Sequence, residues 1–198
     1  MCSSDLPVEQ TPLDRLLRRL GNGLRLVPGH ADLSKVDALL ASAPGVAGTL
    51  KKGLEASFTG DDSPVLIDCA PALGVLSLNA LCAADRVLIP VTADFLAMQG
   101  LSRLDLALGV LENALKRRIE RRVVLTRFDE SKALCRESLA TLKSRYGDAL
   151  CDTRICDDPA LSESPAHGMD IFAYAADCPG AHDYRLLTME LLSKGFFA

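Results

Sequence analysis

Three apolar residues, Val65, Leu66 and Ile67, run directly into the carboxylate of Asp68, and Pro71 and Gly74 follow within a few positions. A short apolar run of this kind fits a strand buried on both faces, as in a parallel sheet covered by helices. A carboxylate is costly inside such a strand. Asp68 is therefore expected to emerge at the carboxyl edge of the sheet, where α/β folds bind ligands. There its oxygens could hold Mg²⁺ directly or through water, because that hard cation prefers oxygen. The alternative is that Asp68 caps the next helix. Pro71 and Gly74 are residue types that shape a tight loop. Other chemistry is thin. His30, His167 and His182 lie far apart and lack partners at zinc spacing. The seven cysteines are scattered without a C-x-x-C pair and read as reduced cytosolic thiols. Gly48 and Gly53 have the spacing that opens a phosphate-binding loop, but Leu54 and Glu55 stand where Lys and Ser or Thr are needed, so that match is rejected.

The elements that must position Asp68 are those of an α/β fold. The chain has 198 residues, 48% of them hydrophobic, enough for one domain with a packed core. A net charge of −4 means that any nucleic-acid contact must come from a local patch. No apolar stretch approaches transmembrane length. Periodicity and breakers place helices over 11–20, 32–42, 44–58, 73–84, 101–116, 131–146 and 181–193. Strands are expected over 24–27, 64–67, 86–91 and 123–125, with an edge-like strand at 153–155 and a helical turn at 159–164. Strands alternating with helices predict a mostly parallel sheet flanked by helices. Asn79 is read as a structural hydrogen-bonding residue. His167-Gly168 is read as a turn with Gly168 at positive φ.

Several segments carry a family resemblance. They are V-L-I-D-C-A-P-A-L-G-V-L-S-L-N-A-L at 65–81, A-A-D-R-V-L-I-P-V at 83–91, F-L-A-M-Q-G-L at 95–101, V-V-L-T-R-F-D at 123–129, L-S-E-S-P-A-H-G-M-D-I at 161–171 and P-G-A-H-D-Y at 179–184. Their order and spacing resemble the ParA/MinD partition ATPases, closest to the ParA/Soj branch, over about two thirds of the chain. The resemblance implies a P-loop NTPase-like fold with ATP and Mg²⁺ as cofactors. It also implies an ATP-bound dimer on nonspecific DNA and a stimulating partner of the ParB type, in the cytoplasm at the nucleoid. By the same resemblance Asp68 is the Mg²⁺-side carboxylate, and Pro71 and Gly74 belong to the loop that senses the γ-phosphate. Thr126 and Arg127 border the adenine pocket, and the loop carrying Asp158 and Pro159 covers the base from the other side.

Family members carry a lysine-rich K-G-G-x-G-K-T/S loop, whose amides, lysines and hydroxyl hold the phosphates and Mg²⁺. No such run occurs in these 198 residues. The expectation is therefore a single ParA-like domain over 1–198, N-terminally truncated, without its first strand and P-loop and inactive as it stands. Cys2-Ser3-Ser4-Asp5-Leu6 is what the adapter string TGC-TCT-TCC-GAT-CT encodes, and residues 1–10 are read as disordered or non-native. The alternative is a non-catalytic module that heterodimerises with a full-length relative. DNA binding is expected to be weakened because Ser131, Asp157 and Ala160 stand where the family often has arginine; Lys132, Arg136, Lys143 and Arg145 are the compensating candidates. The run Lys116-Arg117-Arg118 with Arg121-Arg122 is equally well a solvated helix end. The tail over 186–197 has one lysine and no basic face; it is read as a core-packing helix with no membrane role.

Overall fold

The computed structural model describes residues 11–21, 23–33, 35, 46–58, 60, 63–70 and 73–197. The chain divides into two compact units, Met1–Ala84 and Asp85–Ala198.

In the first unit, α1 (Leu13–Leu16) is only one turn long. The helix expected over 11–20 stops there, because the chain turns back at Gly21 and Gly23. Gly23 takes a φ of 83°, Leu20 N–H donates to the Leu24 carbonyl at 2.8 Å, and β1 (Arg18–Arg19) pairs antiparallel with β2 (Arg25–Leu26). The helix expected over 32–42 lies almost wholly outside the described residues. A 3₁₀ turn, Val46–Gly48, leads into α2 (Thr49–Ser57), and α3 (Val75–Ala83) follows. Asn79 is buried and links these two helices. Its Oδ1 accepts from Leu50 N–H at 3.2 Å and its Nδ2 donates to the Val75 carbonyl at 2.9 Å, the structural role its sequence context implied.

The strand expected over 64–67 is not formed. Residues 63–70 form no helix or strand and join no ladder, and Val65, Leu66 and Ile67 are 57%, 82% and 37% exposed. Apolar composition creates a tendency to be buried, but a strand exists only where a neighbouring backbone supplies hydrogen bonds in register. Among the described residues no segment does so for 63–70.

The second unit is built on β3 (Arg86–Thr92) and β4 (Glu120–Thr126). They are paired in parallel with Arg86 opposite Glu120 and Thr92 opposite Thr126. The connection between them is α4 (Phe95–Leu115), which makes a β-α-β unit. This helix begins six residues earlier than periodicity suggested. Asp94 accepts from Ala97 N–H at 2.8 Å and caps a turn that starts the helix before residue 101. Lys116 ends it in the left-handed conformation, φ 54°. The central residues of β4, Val123, Val124 and Leu125, are almost fully buried, as a strand covered on both faces requires. The strand expected at 153–155 is not formed: isolated parallel bridges, Val123 to Leu150 and Phe128 to Cys156, flank it, and Ile155 N–H donates to the Leu125 carbonyl at 2.9 Å.

Four more helices complete this unit: α5 (Ala133–Tyr146), α6 (Pro159–Glu163), α7 (Ile171–Tyr174) and α8 (Pro179–Ser193). Leu187 and Leu191 of α8, with Phe196 beyond it, pack on Val124, Cys151 and Ile155. The C-terminal stretch is thus a core element, as its composition implied. Gly168 closes the 3₁₀ turn Ser164–His167 at φ 65°, the left-handed geometry expected of it, and His167 stacks on Tyr174 with centroids 5.0 Å apart.

Candidate functional site

Asp68 lies in the exposed segment 63–70 of the first unit, outside any helix or strand. The buried hydroxyl of Ser77, on the first turns of α3, donates to the Ala70 carbonyl at 3.5 Å and ties this segment to the helix. Gly74 is the N-cap of α3, with φ −111° and ψ −168° and no side-chain capping bond. Asp68 is therefore not the cap of that helix. Pro71 lies outside the described residues. Next to Asp68, the Cys69 thiol is pushed up, first by burial and then by the neighbouring carboxylate.

In the second unit the sequence-predicted residues collect at the carboxyl ends of the parallel strands, the edge where such sheets bind ligands. Thr126 Oγ1 donates to the Val91 carbonyl at 3.4 Å and joins the ends of β3 and β4. Arg127 follows in the left-handed region, φ 50°, which is uncommon for a residue with a long side chain. The facing loop is fixed against it. Phe128 N–H donates to the Ile155 carbonyl at 2.9 Å, and Asp157 N–H donates to the Phe128 carbonyl at 3.2 Å. Thr92 and Asp94 close the end of β3. The Asp94 carboxyl is held low by the Thr92 hydroxyl, then by the Ala97 N–H.

Asp158 and Pro159 start α6. One Asp158 oxygen accepts from Ala160 N–H at 2.9 Å and the other from Gly180 N–H at 2.8 Å, so this carboxylate caps α6 and ties it to the first turn of α8, whose own cap is Cys178. Those two N–H groups, Gly180 first, hold it below the usual carboxylate range. Proline stands at the start of both helices, Pro159 and Pro179, where its missing N–H costs nothing. Both oxygens of Asp158 are thus engaged in structure, and Pro159 is the exposed neighbour of a rigid turn.

Beside these loops lies an open groove of about 740 Å³, lined by Phe128, Asp129, Arg154, Cys156, Asp157 and Asp183 among others. None of Thr126, Arg127, Asp158 or Pro159 lines it. Carboxylates outnumber its one arginine, which lies over the Phe128 ring at 5.3 Å, so the groove disfavours a phosphate. Cys156 is not a nucleophile there: burial, then its hydrogen bond to Asp183, pushes the thiol up to about 12.

Three of the four candidate DNA-binding cations have internal partners. Lys132 Nζ lies 3.3 Å from Asp129 and 3.6 Å from Asp157. Arg136 donates to the carbonyls of Glu130 and Ser131 at 2.6 and 2.8 Å. Arg145 donates to Asp105 at 2.9 Å and to the Ser102 hydroxyl at 2.7 Å. Lys143 is exposed. In the second basic run, Arg121 and Arg122 are part of β4 and not of a solvated helix end: Arg121 bonds Glu112 and lies 3.4 Å from Asp105, and Arg122 donates to the Asp148 carbonyl.

A family model described as an AAA domain matches residues 6–121. The chromosome partitioning protein ParA of Caulobacter vibrioides is 34% identical over 174 residues, covering 87% of this chain and 65% of that protein. The chromosome-partitioning ATPase Soj of Treponema pallidum is 33% identical over 175 residues, covering 87% of this chain and 68% of that protein. The chain belongs to the ParA/Soj family of partition ATPases. It spans just under two thirds of the length of the Caulobacter ParA. The ParA/Soj fold is matched as well. A plasmid partition protein of Borrelia burgdorferi bound to AMPPNP superposes with a TM-score of 0.77 at 22% identity, covering 94% of this chain and 71% of that one. A cobyrinic acid a,c-diamide synthase of Mycobacterium smegmatis with ADP and magnesium gives a TM-score of 0.73 at 26% identity, covering 92% and 67%. The architecture is that of a P-loop NTPase-like α/β protein.

Mg²⁺ is the metal this family implies. Among the described residues no group of three or more His, Cys, Asp or Glu is placed to hold a metal ion. A single carboxylate is still a fitting contribution, because Mg²⁺ keeps several waters and is usually held by one or two carboxylates plus substrate phosphates. The exposed Asp68 fits that role. No helix among the described residues is long and apolar enough to cross a membrane.

Proposed function

We propose that this chain is part of an ATP-dependent DNA-partitioning ATPase, with a Mg²⁺-binding carboxylate in its first unit and base-binding residues in its second. The observation that carries this reading is the 34% identity to a chromosome partitioning protein through the segments that hold these residues. In this reading Asp68 holds Mg²⁺ through oxygen, and the loop with Pro71 and Gly74 responds to the γ-phosphate. Thr126 and Arg127 flank the base on one side, with the Asp158-Pro159 turn on the other, held by the two bonds that Asp158 accepts. No K-G-G-x-G-K-T/S run occurs among the 198 residues, so the share of the site assigned here excludes the phosphate cradle. Nucleotide-dependent self-association or pairing with a relative, nonspecific DNA and a ParB-type stimulating partner complete the proposal, in the cytoplasm at the nucleoid.

Photo-crosslinking with 8-azido-ATP and Mg²⁺ tests the base side. Label is expected in the peptides carrying Thr126-Arg127 or Asp158-Pro159, with excess ATP protecting them. Asp68→Ala is expected to weaken Mg²⁺ binding to the chain, read by calorimetry. Label spread over the chain and indifferent to ATP would remove the nucleotide-site reading.

A further inference from the structure

The outward face of α4 is apolar and exposed. Leu96, Gln99, Arg103, Leu106 and Val110 recur at alternating steps of three and four residues, which places them on one face of the helix. All five are exposed. Leu96, Leu106 and Val110 stand at 76%, 74% and 72%, with Phe95 beside them at 67%. The packed side of the helix is the opposite one, where Leu101, Leu108 and Leu111 are buried. Singly exposed apolar residues are ordinary on a protein surface, but a row of them along one helix marks an interaction face.

The polar members of the row decide what fits it. Among the described residues neither the Gln99 nor the Arg103 side chain makes a hydrogen bond or ion pair. The order along the face is Leu96, Gln99, Arg103, Leu106, and it is symmetric about residue 101: a leucine lies five residues to either side, and a long polar side chain two residues to either side. Such a face is complementary to a two-fold copy of itself laid antiparallel. Leu96 then lies against the second copy's Leu106, and the Arg103 guanidinium meets the second copy's Gln99 side-chain carbonyl, donor against acceptor at both ends. Val110 comes beside the second copy's Phe95. A parallel arrangement in register would instead set Arg103 against Arg103, and antiparallel helices also oppose their dipoles favourably.

We infer that α4 is a self-association face, through which two copies of this chain pair about a two-fold axis at residue 101 without nucleotide. One helix face is a small interface, so the pair is expected to separate on dilution. The inference goes beyond the proposed function, in which self-association depends on nucleotide, and does not rest on it.

The test is sedimentation velocity of the full 198-residue chain over a concentration series without nucleotide. Wild type, L106E, V110E, Q99R and Q99E are compared, each checked for folding by circular dichroism. Wild type is expected to move from monomer towards dimer as concentration rises. L106E and V110E place a carboxylate in the apolar contact and are expected to stay monomeric. Q99R sets a second arginine against Arg103 and is expected to weaken association. Q99E sets a carboxylate there and is expected to strengthen it, with the gain lost at high salt. L96C and L106C copies, each with Cys2 and Cys69 replaced by serine, are expected to form a disulfide between 96 and 106 when mixed and mildly oxidised, located by peptide mass spectrometry. A wild type that stays monomeric throughout the series overturns the inference. So does a dimer that L106E and V110E leave intact, because another surface then holds it. Association indifferent to both Gln99 variants overturns the two-fold register and the inference with it. A dimer that forms only with ATP and Mg²⁺ overturns the inference and leaves the proposed function standing.

Discussion

Glu190 shows how one carboxylate can hold a loop to a helix. Its two oxygens accept from Asp152 N–H at 2.9 Å and Thr153 N–H at 2.8 Å, and Lys194 donates to it at 3.0 Å. Burial alone would push this carboxyl up. The bonds from Thr153, Asp152 and Lys194 outweigh burial and hold it at about 2, against an ordinary 4.5. A depressed folded-state pKa means that the unfolded chain binds the proton more readily. The stabilisation is therefore complete above about 4.5 and is lost as pH falls through about 2. Glu190→Gln is expected to lower stability at neutral pH by about 1.5–3 kcal/mol, the range for bonds to a charged group, and to flatten the acid limb of a melting-temperature profile. A variant with an unchanged acid limb would show that the loop is held by packing instead. Asp158 makes a parallel case. Asp158→Ala is expected to cost about 1–2 kcal/mol in chemical denaturation because it uncaps α6 and frees the Gly180 N–H of α8, while Asp158→Asn, which keeps one acceptor oxygen, loses less. Gly180 is required at the same junction: a Cβ there would lie 2.7 Å from Leu161 Cγ.

At the scale of elements, the second unit is tied together by polar bridges across an apolar centre. Arg121 of β4 reaches Asp105 and Glu112 of α4, and Arg145 and Tyr146 of α5 reach the same Asp105. Burial, then the Asp105 hydrogen bond, pushes the Tyr146 hydroxyl well above its usual range, so it stays a donor at any working pH. Beneath these bridges α4 buries Leu108 completely while Leu106 and Val110 face outward, 74% and 72% exposed. Leu108→Ala is expected to cost about 2–5 kcal/mol and Leu106→Ala to stay within about 0.5 kcal/mol, both read from denaturant midpoints. Equal effects at the two positions would mean that the outward face of α4 is covered. The sequence placed α4, β3, β4 and α5 correctly in kind, because apolar periodicity reports which residues avoid water. It misplaced the start of α4, since periodicity does not register a capping bond such as that of Asp94. It could not separate a strand at 153–155 from isolated bridges, since that depends on how the neighbouring backbone is presented.

For the whole molecule, the segment at 63–70 is the exposed point. It lies outside any described helix or ladder and is rich in residues that thermolysin accepts, Val65, Leu66 and Ile67. Brief thermolysin treatment is expected to cut first between residues 64 and 68. It should leave a resistant fragment that holds the packed residues Val124, Leu187 and Leu191. First cleavage elsewhere, with 63–70 protected, would show that this segment is covered in solution.

The amino-acid sequence by itself determined the family, the α/β class and the order of most helices and strands. It also located the turn glycine at 168, the structural role of Asn79 and the apolar closing helix. These follow from side-chain chemistry and local backbone preference, which act over a few residues and so are written in the sequence. The tertiary structure alone decided four further features. Residues 64–67 lack a strand partner among the described residues, Asp158 spends both oxygens on two helix starts, and the Lys132 and Arg145 cations are compensated internally. Asp157 joins Arg127 and Lys132 from a loop some 25 residues away in the chain. Each depends on which distant groups meet, and no local pattern of residue types encodes that meeting.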